Sequence, residues 1–224
     1  MLHLRRICLF LILPLLVACG KAQDQNAHQA VPSFQAGKDY QIISTSDIIP
    51  VAEPKQQVHV VEFFSYACPG CYRLEPQLEA WLAKQSNDVI FERVPVVFRP
   101  DWQNLARMYY IAQMLGVEKA LTPEIFKAIH AQNKDLTNAD AQKQFFKAHG
   151  VSEKDFDSMA AFSPGIDAQL VRSDTLMSNY KIVAAPTLVI DQRFKLNPAM
   201  TNGEPQRFFQ VLDYLIQKVR KGEN

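Results

Sequence analysis

The sequence predicts an α/β domain into which a block of helices has been inserted. Three observations carry that prediction. An apolar run at 58–64 passes through two cysteines into a helical pattern, and a second strand-like run follows at 89–98. Helical periodicity then fills 101–180. Strand-like sequence returns at 186–196, ahead of a closing helix. Strand pattern on both sides of the helical block makes it an insertion and not an appendage. The chain thus divides into a targeting segment at 1–18, a flexible tether at 19–38, an α/β domain at 39–100 and 181–224, and a helical insertion at 101–180.

In the targeting segment, Arg5 and Arg6 precede an apolar run from Ile7 to Val17, the length of a signal-peptide core and short for a bilayer span. It ends in Leu16-Val17-Ala18-Cys19-Gly20, which resembles the lipobox of bacterial lipoproteins. That resemblance implies lipid on Cys19 and a membrane tether without a spanning helix. The competing reading is an ordinary signal peptide cleaved nearby. Residues 21 to 38 are rich in Gln, Ala and Asn and aperiodic, as a tether is.

Tyr40 to Ile43 alternates weakly and reads as an edge strand; Pro50 and Pro54 punctuate the loop after it. Val58 to Phe64, apolar apart from His59 and Glu62, suits a strand covered on both faces. Leu74, Leu78, Trp81 and Leu82 then fall at helical spacing. Val89 to Phe98 reads as the next strand, so the unit is βαβ, with Pro95 marking an irregularity or an end. The inserted helices are expected at 105–115 (stopping at Gly116), from Pro123 to Ala131, from Ala139 to His149, from Ser152 to Ala160, and from near Pro164 onward. Asn138 and Ser152 are candidate N-caps. Pro186 to Ile190 and Phe194 to Leu196 read as a hairpin, and Phe208, Leu212, Leu215, Ile216 and Val219 line one face of the last helix.

The 224 residues are 48% hydrophobic, enough for a sizeable core, and carry a net charge of +1. No basic run or basic–aromatic patch occurs, so nucleic acid is not an expected partner. Of four cysteines, Cys8 leaves with the signal segment and the lipid accounts for Cys19. An exported chain that keeps only Cys68 and Cys71 is more suited to thiol chemistry than to stapling.

Cys68-Pro69-Gly70-Cys71 places one sulfur at a helix N-terminus, where unpaired N–H groups and the helix dipole favour a thiolate. The second sulfur lies one turn in, within disulfide reach. An exposed acidic thiol and a shielded resolving thiol are what dithiol exchange requires. Three alternatives stand beside it. A structural disulfide gains little from so short a loop. A zinc site would need further ligands, and His28, His59, His130 and His149 show no ligand spacing. A copper-carrying dithiol lacks a methionine-rich stretch. The second element is Ala184-Ala185-Pro186-Thr187, a proline between a small-residue loop and an apolar strand, which by itself also fits an ordinary strand start.

Together, Glu62-Phe63-Phe64-Ser65-Tyr66-Ala67-Cys68-Pro69-Gly70-Cys71-Tyr72, the block at 101–180 and Ala185 to Ile190 followed by Lys195-Leu196-Asn197-Pro198 resemble the thioredoxin superfamily and, more narrowly, the DsbA family of bacterial thiol–disulfide oxidoreductases. The resemblance runs from about residue 38 to the C-terminus. It implies a thioredoxin-like fold with an inserted helical domain and no cofactor beyond a redox-active Cys68–Cys71 disulfide. It makes Cys68 the nucleophile, Cys71 its resolving partner and Pro186 a cis-proline beside the sulfur, with Ala185, Pro69 and Gly70 lining the substrate contact. Glu62 matches the buried acid beneath the active site, expected as a lone carboxylate with a raised pKa that relays the Cys71 proton. A strand residue reaching solvent is the other reading of Glu62.

Two departures matter. Gly70 stands where well-known members carry histidine, which implies a less acidic Cys68, roughly 3.5 to 7, and a potential of roughly -120 to -270 mV. Ala185 offers the sulfur no side-chain contact. The implied partners are reduced or unfolded exported proteins and a quinone-linked membrane oxidase of the DsbB type. The implied location is the periplasm, lipid-anchored, as a monomer. An isomerase or reductase, and a non-catalytic lipoprotein binding unfolded chains or metal, are the alternatives.

Overall fold

The computed structural model describes residues 33–43 and 57–223. The signal segment at 1–18, Cys19, most of the tether, and Pro50 and Pro54 lie outside the described residues. In chain order the elements are β1 (Gln41–Ile42), β2 (Val58–Phe64), α1 (Pro69–Leu82), β3 (Val89–Pro95), α2 (Gln103–Met114), α3 (Glu118–His130), α4 (Ala139–Ala148), α5 (Glu153–Ala161), α6 (Ser163–Asn179), β4 (Thr187–Ile190), β5 (Phe194–Leu196) and α7 (Pro205–Arg220).

The five strands form one sheet in the order β1-β5-β4-β2-β3. β2 runs parallel to β3, and the other pairings are antiparallel. β2 is therefore paired on both sides, which explains a sequence apolar apart from His59 and Glu62. Alternation along it divides two faces. Val58 and Val60 pack with Leu74, Leu78 and Trp81 of α1 and with Phe208, Leu212 and Leu215 of α7. Phe63 turns the other way, onto Val94, Val189, Tyr180 and Ile182. β3 ends at Pro95, as its missing N–H requires. The β4–β5 hairpin closes through Asp191 and Gln192, with φ of 49° and 59°, and Arg193 N–H donates to the Ile190 carbonyl at 3.0 Å. Two successive left-handed residues make the turn that suits the twist of a hairpin.

Helices α2 to α6 separate β3 from β4 and form their own core around Met108, Ile125, Phe126, Phe146, Phe156 and Ile166. Phe64, Tyr66, Cys68 and Cys71 belong to this same core. Gly116 takes up φ +68° just past α2. Asn138 and Ser152 accept from the N–H groups of Ala141 and Asp155, caps worth about 1 kcal/mol each.

The structure corrects two expectations. The helix expected from Pro123 starts at Glu118, with Pro123 inside it. Proline lacks the N–H that would bond Lys119, but Pro123 is exposed and the apolar face of Leu121, Ile125 and Phe126 outweighs that loss. The tether assigned through Lys38 ends sooner. Phe34 is 8% exposed and packs edge-on against Tyr214 at 5.3 Å. Asp39 is buried, accepts from Gln35 N–H at 2.9 Å and pairs with Arg207. A single aromatic residue supplied enough burial to anchor a segment whose composition reads as linker.

Candidate active site

The turn from β2 into α1 is made by Ser65. Its hydroxyl accepts from Ala67 N–H at 3.2 Å and its carbonyl from Cys68 N–H at 3.0 Å. Cys68 is then the N-cap of α1, in extended conformation, and Pro69 occupies the first helical position, where its fixed φ suits a helix start. The Cys68 sulfur takes the place of a capping oxygen: Cys71 N–H donates to it at 3.3 Å. Both cysteines are free thiols.

The two thiols are pushed in opposite directions. Cys68 falls from an ordinary value of 9.0 to about 6. Donation from the Cys71 thiol is the largest cause, burial opposes it, and the N–H groups of Cys71 and Gly70 add to it. Cys71 is pushed well above its ordinary value, first by burial and then by donating to Cys68 and by the nearby Glu62 carboxylate. An ionised sulfur at the cap and a protonated one behind it is the asymmetry that exchange chemistry uses.

Cys68 is not the exposed thiol of the sequence reading. It is 6% exposed against 1% for Cys71, because the cap geometry tucks its sulfur against the loop before β4. There its S–H donates to the Ala185 carbonyl at 3.3 Å. Ala185 thus touches the sulfur through its backbone, although its methyl does not. The Ala185–Pro186 bond is cis. A Cβ on Gly70 would stand 3.2 Å from Pro186 Cδ, a tight contact, and 3.6 Å from Cys68 Sγ, an ordinary one. Gly70, Leu74, Pro186, Pro198, Pro205 and Phe208 line a groove of about 570 Å³ that opens beside the dithiol.

Glu62 is buried, at 1% exposed, on the face of β2 that meets α1. It is not a lone carboxylate. Arg93, its register partner on β3, donates from Nε to Glu62 Oε2 at 2.9 Å. The same guanidinium holds Glu75 through Nη2 at 3.1 and 2.9 Å and reaches Glu79 at 3.0 Å. Burial raises Glu62, with Arg93 opposing. Glu75 is pushed up to about 8, chiefly by burial, against the pull of Arg93. Arg93 itself stays charged, because Glu62 and Glu75 outweigh its burial. One guanidinium facing two buried carboxylates and a half-exposed third leaves room for a held proton behind Cys71.

Arg93 and Glu75 escaped the sequence reading. The signal was there: an acid in the middle of an apolar strand demands a partner, and Arg93 sits at the matching position of the next strand. Cys68, Cys71, Pro69, Gly70, Ala185 and Pro186 do converge, while Glu62 stands behind the pair and Cys19 is outside the described residues.

Comparison with known proteins agrees with this geometry. A family model described as the DSBA-like thioredoxin domain matches residues 59–215. The chain is similar to the thiol:disulfide interchange protein DsbA of Burkholderia cepacia, 38% identical over 218 residues that cover 97% of this chain and 98% of the relative. It is 32% identical over 187 residues to the DsbA of Pseudomonas aeruginosa, covering 84% and 86% of the two chains. The crystal structure of Pseudomonas aeruginosa DsbA superposes with a TM-score of 0.77 at 31% identity, covering 84% of this chain and 96% of that one. Match, topology and the placing of the two thiols point the same way: the chain belongs to the DsbA-like thioredoxin domain family.

Proposed function

We propose that this chain is a thiol:disulfide oxidoreductase that introduces disulfides into exported proteins through Cys68 and Cys71. The observation that carries the reading is the depressed thiol of Cys68, capping α1 beside Pro186. In the oxidised enzyme a substrate thiolate attacks the Cys68 sulfur. The Cys68–Cys71 bond breaks, and Cys71 leaves with the electron pair and takes a proton. Its raised pKa favours that uptake, and we assign the supply of the proton to Glu62, a buried carboxyl whose own pKa burial raises. A second substrate thiolate then attacks the substrate sulfur of the mixed disulfide, and Cys68 leaves as a thiolate. Two electrons have passed to the enzyme and the substrate holds a disulfide. The low pKa makes Cys68 both a good leaving group and a stable product.

The groove beside Pro186 supports an extended, mainly apolar polypeptide as substrate. The run ending in Ala18-Cys19 supports a lipid-anchored periplasmic form, and family likeness supports reoxidation by a quinone-linked membrane oxidase of the DsbB type. The test is direct. Cys68→Ser is expected to lower oxidation of a reduced dithiol peptide at least roughly a thousandfold, while Cys71→Ser accumulates mixed disulfides. Retained turnover in Cys68→Ser would sink the reading. Trapping the thiols in cells separates oxidase from isomerase: mostly oxidised supports the first, mostly reduced the second.

A further inference from the structure

Helix α3 presents Thr122, Phe126 and His130 at intervals of four residues, on one stripe. All three meet the segment that carries the dithiol. The Thr122 hydroxyl, fully buried, bonds the Tyr66 hydroxyl at 3.0 Å. Phe126 packs edge-on against the Tyr66 ring, centroids 5.2 Å apart. His130 makes two contacts of different kinds. Its Nε2 lies 2.8 Å from the Tyr66 carbonyl, and its ring stacks on Tyr72 at 4.9 Å and 12°. A carbonyl only accepts, so Nε2 carries the proton and donates it.

Tyr66 stands two residues before Cys68, and Tyr72 directly follows Cys71. One side chain therefore grips both ends of the turn that holds the two sulfurs. That turn is what aims Cys71 N–H at Cys68 Sγ, at 3.3 Å. We propose that His130 is a positioning residue for the exchange centre: by donating to the Tyr66 carbonyl and stacking on Tyr72, it holds the capping N–H groups on the Cys68 sulfur. Hydrogen bonds to an anion depend on aim more than those to a neutral thiol, so a loosened turn costs the thiolate more. The inference rests on the exchange reading for its consequence, but its measurement does not. The ionisation of Cys68 is read by alkylation rate, without any substrate.

The test compares His130→Ala, His130→Gln and His130→Phe in the full chain. Glutamine keeps a donor at the Nε2 position, and phenylalanine keeps the ring without the donor. His130→Ala is expected to raise the Cys68 pKa by about half a unit to one unit, and to make the enzyme roughly three- to tenfold less oxidising against glutathione. His130→Gln should restore at least half of that shift. A His130→Ala that loses thermal stability yet keeps the wild-type thiol titration and potential shows packing alone and overturns the proposal. So does a glutamine variant no better than alanine. If His130→Ala does not fold, His130→Gln against His130→Phe decides: phenylalanine should show the larger shift, and two wild-type titrations overturn the proposal. Failure of the wild-type enzyme to oxidise any dithiol would sink the exchange reading and leave this titration standing.

Discussion

Cys68 and Cys71 are one helical turn apart, and their surroundings push the same side chain in opposite directions. At the cap, N–H groups converge and the sulfur ionises. One turn in, the surroundings are apolar, a carboxylate lies nearby and the proton stays. Burial alone does not separate them, since both are largely covered. Burial raises both and is the main cause at Cys71; Cys68 is brought down against it by the Cys71 thiol and the N–H groups of Cys71 and Gly70, while Glu62 adds to the rise of Cys71. A dithiol gains direction from its neighbours, and both sets of neighbours are open to mutation.

The largest expected effect comes from the region behind Cys71. Arg93→Met would leave Glu62 and Glu75 buried with no cation between them, which should cost about 3–5 kcal/mol in denaturant unfolding. A loss below about 1 kcal/mol would mean that both acids are already neutral and that charge behind Cys71 has no part in the contrast. The next test reads Cys68. Its folded pKa lies at about 6, below the ordinary 9.0. The stability it lends the reduced form is therefore fully present above pH 9 and is lost as pH falls through 6. Reduction then takes up two protons below pH 6 and one above it. The potential should fall by about 59 mV per pH unit on the acid side and by about 30 mV on the other. A single slope through pH 8 would erase the asymmetry. The smallest effect is at the wall between sulfur and proline. Gly70→Ala should change stability by less than about 1 kcal/mol, because its helix gain offsets the 3.2 Å contact with Pro186. Exchange with a protein substrate should slow by roughly fivefold, which steady-state rates would reveal. An unchanged rate would show that the wall yields.

The fold was legible wherever one periodicity ran long enough. β2, α1, α2, α4 and α7 lie where their patterns place them, and the caps Asn138 and Ser152 were readable from residue type alone. The errors fall where tertiary burial overrides local signs. Pro123 looked like a start because proline is at home there, yet α3 had already begun at Glu118. Phe34 was one aromatic in a polar stretch, and only its fit against Tyr214 takes it out of the tether. Within the site, the four residues from Cys68 to Cys71 announce themselves by spacing. Arg93 does not, because a cation in a strand declares its role only once the strand beside it is known. His130 is quieter still: nothing in Phe126-Lys127-Ala128-Ile129-His130 says that its ring lies against Tyr72.

The bond from the Cys68 sulfur to the Ala185 carbonyl joins residues 117 apart in sequence. A chain made from its N-terminus presents both thiols long before the loop that completes the wall beside them. At 5–20 residues per second that interval is roughly 6–23 s. Through it the Cys68 sulfur lacks the wall that the loop before β4 puts beside it. The side of the exchange centre that meets a polypeptide is thus finished only with the last fifth of the chain's own synthesis.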